Sequence, residues 1–210
     1  FQKAIELQPN NADAHHNLAT AMKASSMLAE AVAEYDLCLA NQPEFYSALA
    51  GKAEALAAMD QYEAALEACN AAIAVSPEVA RAYSDRGFCF LKLGRPDDAI
   101  ADMEKAGACG DTSAEQQRLL RIAFSLKADS LMEGGDFAGA LEVYCKIIAM
   151  STEKNTDTMF NAALCTMHLG KAAEALEGFK EITALNPTHF AALNATGLLA
   201  LQLGRATEAV

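Results

Sequence analysis

Apolar positions recur along this chain at helical spacing. Leu28, Ala31, Val32, Tyr35 and Cys38 fall on one face of a helix, and His15, Leu18, Ala19 and Met22 fall on one face of the segment before it. A period near 3.6 predicts two amphipathic helices joined by a short turn. The arrangement returns with Leu49, Ala53, Leu56, Tyr62, Ala65, Cys69 and Ala72, then with Tyr83, Gly87, Phe90, Ala99, Met103 and Ala106. Ala19, Ala53 and Gly87 succeed one another at the expected helix crossing, where only small side chains let two backbones approach closely.

The punctuation keeps the same beat. Pro9, Pro43 and Pro77 fall at equal intervals. Turns are predicted at Gly94, Gly135, Gly170 and Gly204, with Ser26 and Asp60 standing at the same place in earlier copies. Self-similarity at this period marks a solenoid, whose units bury their apolar faces only against neighbours. Full repeats are read at 12–45, 46–79, 80–113, 121–155 and 156–189. Residues 1–11 form the end of a cut repeat and 190–210 the start of another, so both ends are expected to continue into further repeats or a cap.

One interval is long. Gly94 and Gly135 stand farther apart than Gly135 and Gly170, or Gly170 and Gly204. The extra residues, 114–120, amount to about two helical turns, which keeps the buried face in register and adds ~10 Å of helix. A single long helix from Ala114 to Met132 is predicted, opened by a capping box of Thr112 with Glu115 or Ser113 with Gln116. Leu119 and Leu120 on this insert are candidates for a partner contact, against the plainer reading that the insert covers a neighbouring groove.

Small residues at the crossings, an Ala in each second helix (Ala31, Ala65, Ala99, Ala140, Ala175, Ala209), an aromatic or bulky residue four later, and a terminal Pro resemble the tetratricopeptide repeat. The resemblance covers essentially the whole chain and departs from the family in lacking Trp and in Asp111 and Thr152, where Pro is usual. It implies an all-α solenoid of antiparallel helix pairs in a right-handed superhelix, with the first helix of each pair lining a concave groove.

Composition narrows the chemistry. A net charge of −12 and pI near 4.7 argue against nucleic acid, which calls for a basic stripe. The six cysteines form no C-x-x-C pair and mostly occupy small apolar positions, so free buried thiols in a reducing, intracellular and cytoplasmic setting are expected. No apolar run is long enough to span a bilayer. No nucleotide, zinc-protease or hydrolase motif is present, and His15 and His16, adjacent on a helix, point about 100° apart and do not share a metal. No catalytic residue, metal or cofactor is therefore assigned.

Binding remains. Chaperone-binding members of the family grip a terminal carboxylate with Lys, Asn and Arg. Here His16, Thr20, Gly51, Asp85, Ile122 and Leu126 occupy one frame of those positions, and Ala50 and Glu54 join Asp85 in the other. Asp85 repels a carboxylate, so no chaperone tail of that class is expected. Asn17 and Asn161 match the groove asparagines of the glycosyltransferase superhelices, but Gly51, Asp85, Leu126 and Ala195 do not. The early groove is polar, with Asp13, His16, Thr20, Lys23, Ser47 and Glu54. The later groove is apolar, and Arg81, Phe88, Leu91, Phe160, Leu164 and Met167 are the candidate partner-binding residues. The partner expected is a protein or peptide, as an apolar or amphipathic helix, with Arg81 orienting an acidic residue of it. A scaffold or interaction module is the leading reading. A targeting arm of an enzyme and an architectural spacer are the alternatives.

Overall fold

The computed structural model describes residues 1–151 and 153–204, together with the backbone but not the side chain of Gln2. Thr152, and Ala209 in the last copy of the repeated phrase, lie outside the described residues. Within them the chain is all-α: α1 (Gln2–Leu7), α2 (Ala12–Ala24), α3 (Leu28–Asn41), α4 (Tyr46–Ala58), α5 (Tyr62–Val75), α6 (Ala80–Lys92), α7 (Pro96–Ala108), α8 (Ala114–Glu133), α9 (Phe137–Met150), α10 (Thr156–His168), α11 (Ala172–Leu185) and α12 (Phe190–Gln202). Two compact units divide it, residues 1–120 and 121–210.

Local chemistry sets the helix ends. Ser26, Asp60, Gly94, Gly135, Gly170 and Gly204 all take positive φ, between 58° and 80°. Each of the first five is followed by a residue whose N–H returns to a carbonyl on the last turn of the helix, such as Met27 to Met22 and Arg95 to Phe90. This closure satisfies helix carbonyls that otherwise lack partners. Glycine adopts that φ without steric penalty, whereas Ser26 and Asp60 do so against one. The prolines serve the opposite junction. Pro9, Pro43, Pro77 and Pro187 each follow the first residue of a tight turn, closed by bonds such as Phe45 N–H to the Gln42 carbonyl at 3.2 Å.

In the first unit successive helices pack pairwise, and the first helix α4 also touches α2 and α6. Ala19, Ala31, Ala53, Ala65 and Ala99 are buried at the contacts. Gly51 is needed where it stands, because a Cβ there would overlap the phenol of the fully buried Tyr35. In the second unit Leu176, Phe179, Ile182, Ala192, Leu199 and Ala200 form a continuous core, against which Phe160, Leu164 and Met167 pack. There, too, the Tyr144 hydroxyl donates to Asp129 Oδ1 at 2.6 Å.

Helix α8 is 20 residues long, against 13 for α2, α4, α6, α10 and α12. Its start differs from the expected capping box. The Ser113 hydroxyl does accept from the Gln116 N–H at 3.1 Å, but the Ser113 N–H is taken by Asp111 Oδ1 at 3.1 Å. The Gln116 side chain is thereby free and donates instead to the Met103 carbonyl of α7 at 2.6 Å, where it is buried. Glu115 turns to Arg118 rather than to Thr112. The cysteines also depart in part from expectation. All six are free, but Cys109 is half-buried and Cys145 exposed.

Candidate binding groove

Three first helices of the first unit present one polar face. Lys23 of α2 reaches Glu54 of α4 at 2.5 Å, and Arg81 of α6 reaches the other oxygen of the same carboxylate. Glu54 thus ties α2, α4 and α6 together. Arg81 is not a free rim cation: its second neighbour is Asp85, with Nε 3.7 Å from Oδ2. Beside this pairing lies a cavity of about 210 Å³ lined by His16, Thr20, Tyr46, Ser47 and Gly51 among others.

Asp85 is the misfit. Its Oδ2 is buried and accepts no hydrogen bond. Burial, and next the negative charge of Glu54, push its carboxyl up to about 6, with Arg81 and Lys23 pulling the other way. Burial lowers the pKa of His16, and its ring lies 4.9 Å from that of Phe45. His16 Nδ1, Tyr46 Oη and Asp85 Oδ2 are the buried side-chain polar atoms left without a hydrogen-bond partner among the described residues. All three belong to this face. His15, the neighbour of His16, does something else. It is buried between Glu34, at 2.7 Å, and the Pro9 carbonyl, at 2.9 Å. Burial opposes its charge, but the bonds to Glu34 and Pro9 outweigh that and raise its pKa.

A second cavity, of about 340 Å³, opens between α4, α5 and α6, with Phe88 and Asp85 in its lining. Its place coincides with a departure from the repeat pattern at Cys69. Four positions after the buried alanine of each second helix stand Tyr35, Cys69, Met103, Tyr144 and Phe179. Four of these are bulky and fully buried, and the fifth, Cys69, is small. Where Tyr35 fills its repeat and rests on Gly51, Cys69 leaves a void, and Asp85 takes the place of Gly51 in the next repeat. The Cys69 thiol is pushed up, first by its hydrogen bond to Cys89 and then by burial, and the carboxylates of Glu54 and Asp85 share the lining. This pocket was missed in the sequence, although the substitution of Cys69 into a series of bulky residues was the visible sign of it.

The other candidate residues are distributed as follows. Phe88 is half-buried, edge-on to Tyr62 with ring centroids 6.4 Å apart, and Leu91 is half-buried on the same helix. Leu119 and Leu120 are half-buried near the start of α8. Phe160, Leu164 and Met167 stand together in the second unit, half-buried, with Phe160 5.4 Å from Phe179 and 5.1 Å from His189.

Comparison with known proteins settles the family. Profiles described as tetratricopeptide repeat match residues 1–33, and 51–114, 125–188 and 167–210. The chain belongs to the tetratricopeptide repeat family. It is 28% identical over 137 residues to a TPR repeat-containing protein of Methanocaldococcus jannaschii, covering 65% of this chain and 23% of that one. Among solved structures it resembles YrrB, a TPR protein with an unusual peptide-binding site, at TM-score 0.63 and 21% identity, covering 92% and 96% of the two chains. It also resembles the first TPR of Spaghetti (RPAP3) bound to HSP90 peptide SRMEEVD, at TM-score 0.53 and 22% identity, covering 55% and 93%. These likenesses are of fold. The chain spans between 14% and 40% of the length of the curated relatives it matches. Among the described residues no helix is long and apolar enough to cross a membrane.

Proposed function

We propose that this tetratricopeptide segment is a non-catalytic interaction module of a larger intracellular protein or assembly. It binds a partner segment on the first-helix face of its repeats. The observation that carries this reading is the concentration of unsatisfied polar atoms on the α2–α4–α6 face, beside an apolar cavity. Each such atom costs ~1–3 kcal/mol when left without a partner, and a bound segment supplies the missing bonds. The peptide-bound and peptide-binding relatives support the reading by kind. Each unit by itself favours an amphipathic helix over an acidic tail, because Phe88 and Leu91 in the first, and Phe160, Leu164 and Met167 in the second, are half-exposed apolar anchors. Leu119 and Leu120 are additional contact residues in this proposal.

The test is selection from a displayed library of peptides about 16 residues long, the length of a four-turn helix. Enriched sequences are expected to carry apolar residues at helical spacing and to lose at least tenfold in affinity to Phe88→Ala or Phe160→Ala. Both rings also touch core residues, so Phe88→Leu and Phe160→Leu, which keep apolar bulk, are measured alongside with a circular dichroism melt. No enrichment, or peptides indifferent to all four substitutions, would sink the proposal.

A further inference from the structure

We propose that the cavity between α4, α5 and α6 is a socket for one basic side chain of the partner, an aliphatic stem ending in an ammonium or guanidinium group. The proposal rests on the reading of this face as a docking surface and names the chemistry it selects. Ala53, Ala57 and Phe88 give the socket apolar walls beside the thiols of Cys69 and Cys89, and the carboxylates of Glu54 and Asp85 stand in the same lining. A straight alkyl stem buries its length against such walls while its charged head seeks an acceptor, as lysine and arginine stems do on protein surfaces. The acceptor is Asp85. Glu54 already holds two cations, Lys23 and Arg81. Asp85 Oδ2 has only Arg81 Nε at 3.7 Å, outside hydrogen-bond reach. A cation at the exposed part of the Asp85 side chain, which is 29% accessible, adds a charge-assisted partner to a carboxylate that the free protein leaves weakly paired.

The neighbouring repeat shows that the socket is not demanded by the fold. The same position is closed there by Tyr35 against Gly51, with no carboxylate in the place of Asp85. The second and third repeats therefore depart from that arrangement twice, at Cys69 and at Asp85, and the two departures meet in one place. An excess of negative charge on the chain, −12 overall, further favours a basic segment over an acidic one.

The experiment uses n-pentylamine as the probe, with pentan-1-ol and hexanoate as its neutral and anionic counterparts, followed by amide chemical shifts of the whole chain. Pentylamine is expected to saturate shifts at Ala53, Ala57, Cys69 and Asp85, and to bind at least tenfold more tightly than either counterpart. Asp85→Asn should weaken it at least tenfold. The double variant Cys69→Tyr with Asp85→Gly, which reproduces the filled repeat, should remove binding while circular dichroism shows an unchanged helical fold. Equal binding of pentanol, tighter binding of hexanoate, or shifts elsewhere would overturn the proposal. Should the double variant not fold, the comparison of Asp85→Asn with wild type and of amine with alcohol decides it. Failure here with successful peptide selection rejects the socket alone; failure of both rejects the docking face.

Discussion

Asp85 gives the sharpest test of the groove as an unfinished surface. Its carboxyl is raised from 3.8 to about 6 by burial and by Glu54. The acid's folded pKa exceeds its unfolded value, so the folded protein binds the proton more tightly, and stability falls as pH rises from about 4 to above 6. That difference corresponds to ~3 kcal/mol at alkaline pH, and the partial exposure of the side chain reduces this to an expected ~1–2 kcal/mol. Asp85→Asn keeps the shape and removes the charge. The variant should be more stable than wild type by ~1–2 kcal/mol at about pH 8, and by about a third of that gain at about pH 4.5, where most of the penalty has gone. The groups facing Asp85 are Lys23, Tyr46, Glu54, Cys69, Arg81 and Cys89. Urea unfolding followed by circular dichroism at both pH values measures the difference, read as a midpoint shift at constant slope. A variant less stable at alkaline pH, or a gain equal at both pH values, refutes this reasoning and shows Asp85 to be a satisfied structural carboxylate.

Further expectations concern the scaffold. Ser26→Gly relieves a left-handed residue at φ 62° and should raise stability by ~0.5–1 kcal/mol in a thermal melt; a loss would show that the Ser26 side chain matters more than its backbone. Gln116→Ala removes the bond to the Met103 carbonyl and should cost ~1 kcal/mol, with faster amide exchange confined to the start of α8; unchanged exchange there refutes the anchor. His15 has a raised folded pKa, so its contribution is fully present below its ordinary value of 6.5 and is lost as pH rises through the folded value. Glu34→Gln should therefore lower stability more at about pH 6 than at about pH 8.5, and an equal loss at both would exclude a charged His15–Glu34 pair.

Much of this protein was determined by its sequence alone, because the deciding forces are local. A period of 3.6 places Ala31, Ala65 and Ala99 on buried faces, and a left-handed turn needs only the residue at its own position, as at Gly94 and Gly170. Such features repeat whenever the residues repeat, so Ser26 and Asp60 were recognisable as turns even without glycine. Tertiary structure decided where the sequence departs from its own rule. That Cys69 leaves a void depends on what α4 and α6 bring against it. That Asp85 lacks a donor depends on Glu54, on the preceding first helix, having already taken both Lys23 and Arg81. Gln116 likewise forsook a local capping bond for a carbonyl on the preceding helix once Asp111 had occupied the Ser113 N–H. Helix and turn follow from neighbours along the chain, whereas the satisfaction of a buried polar group depends on every element that reaches it.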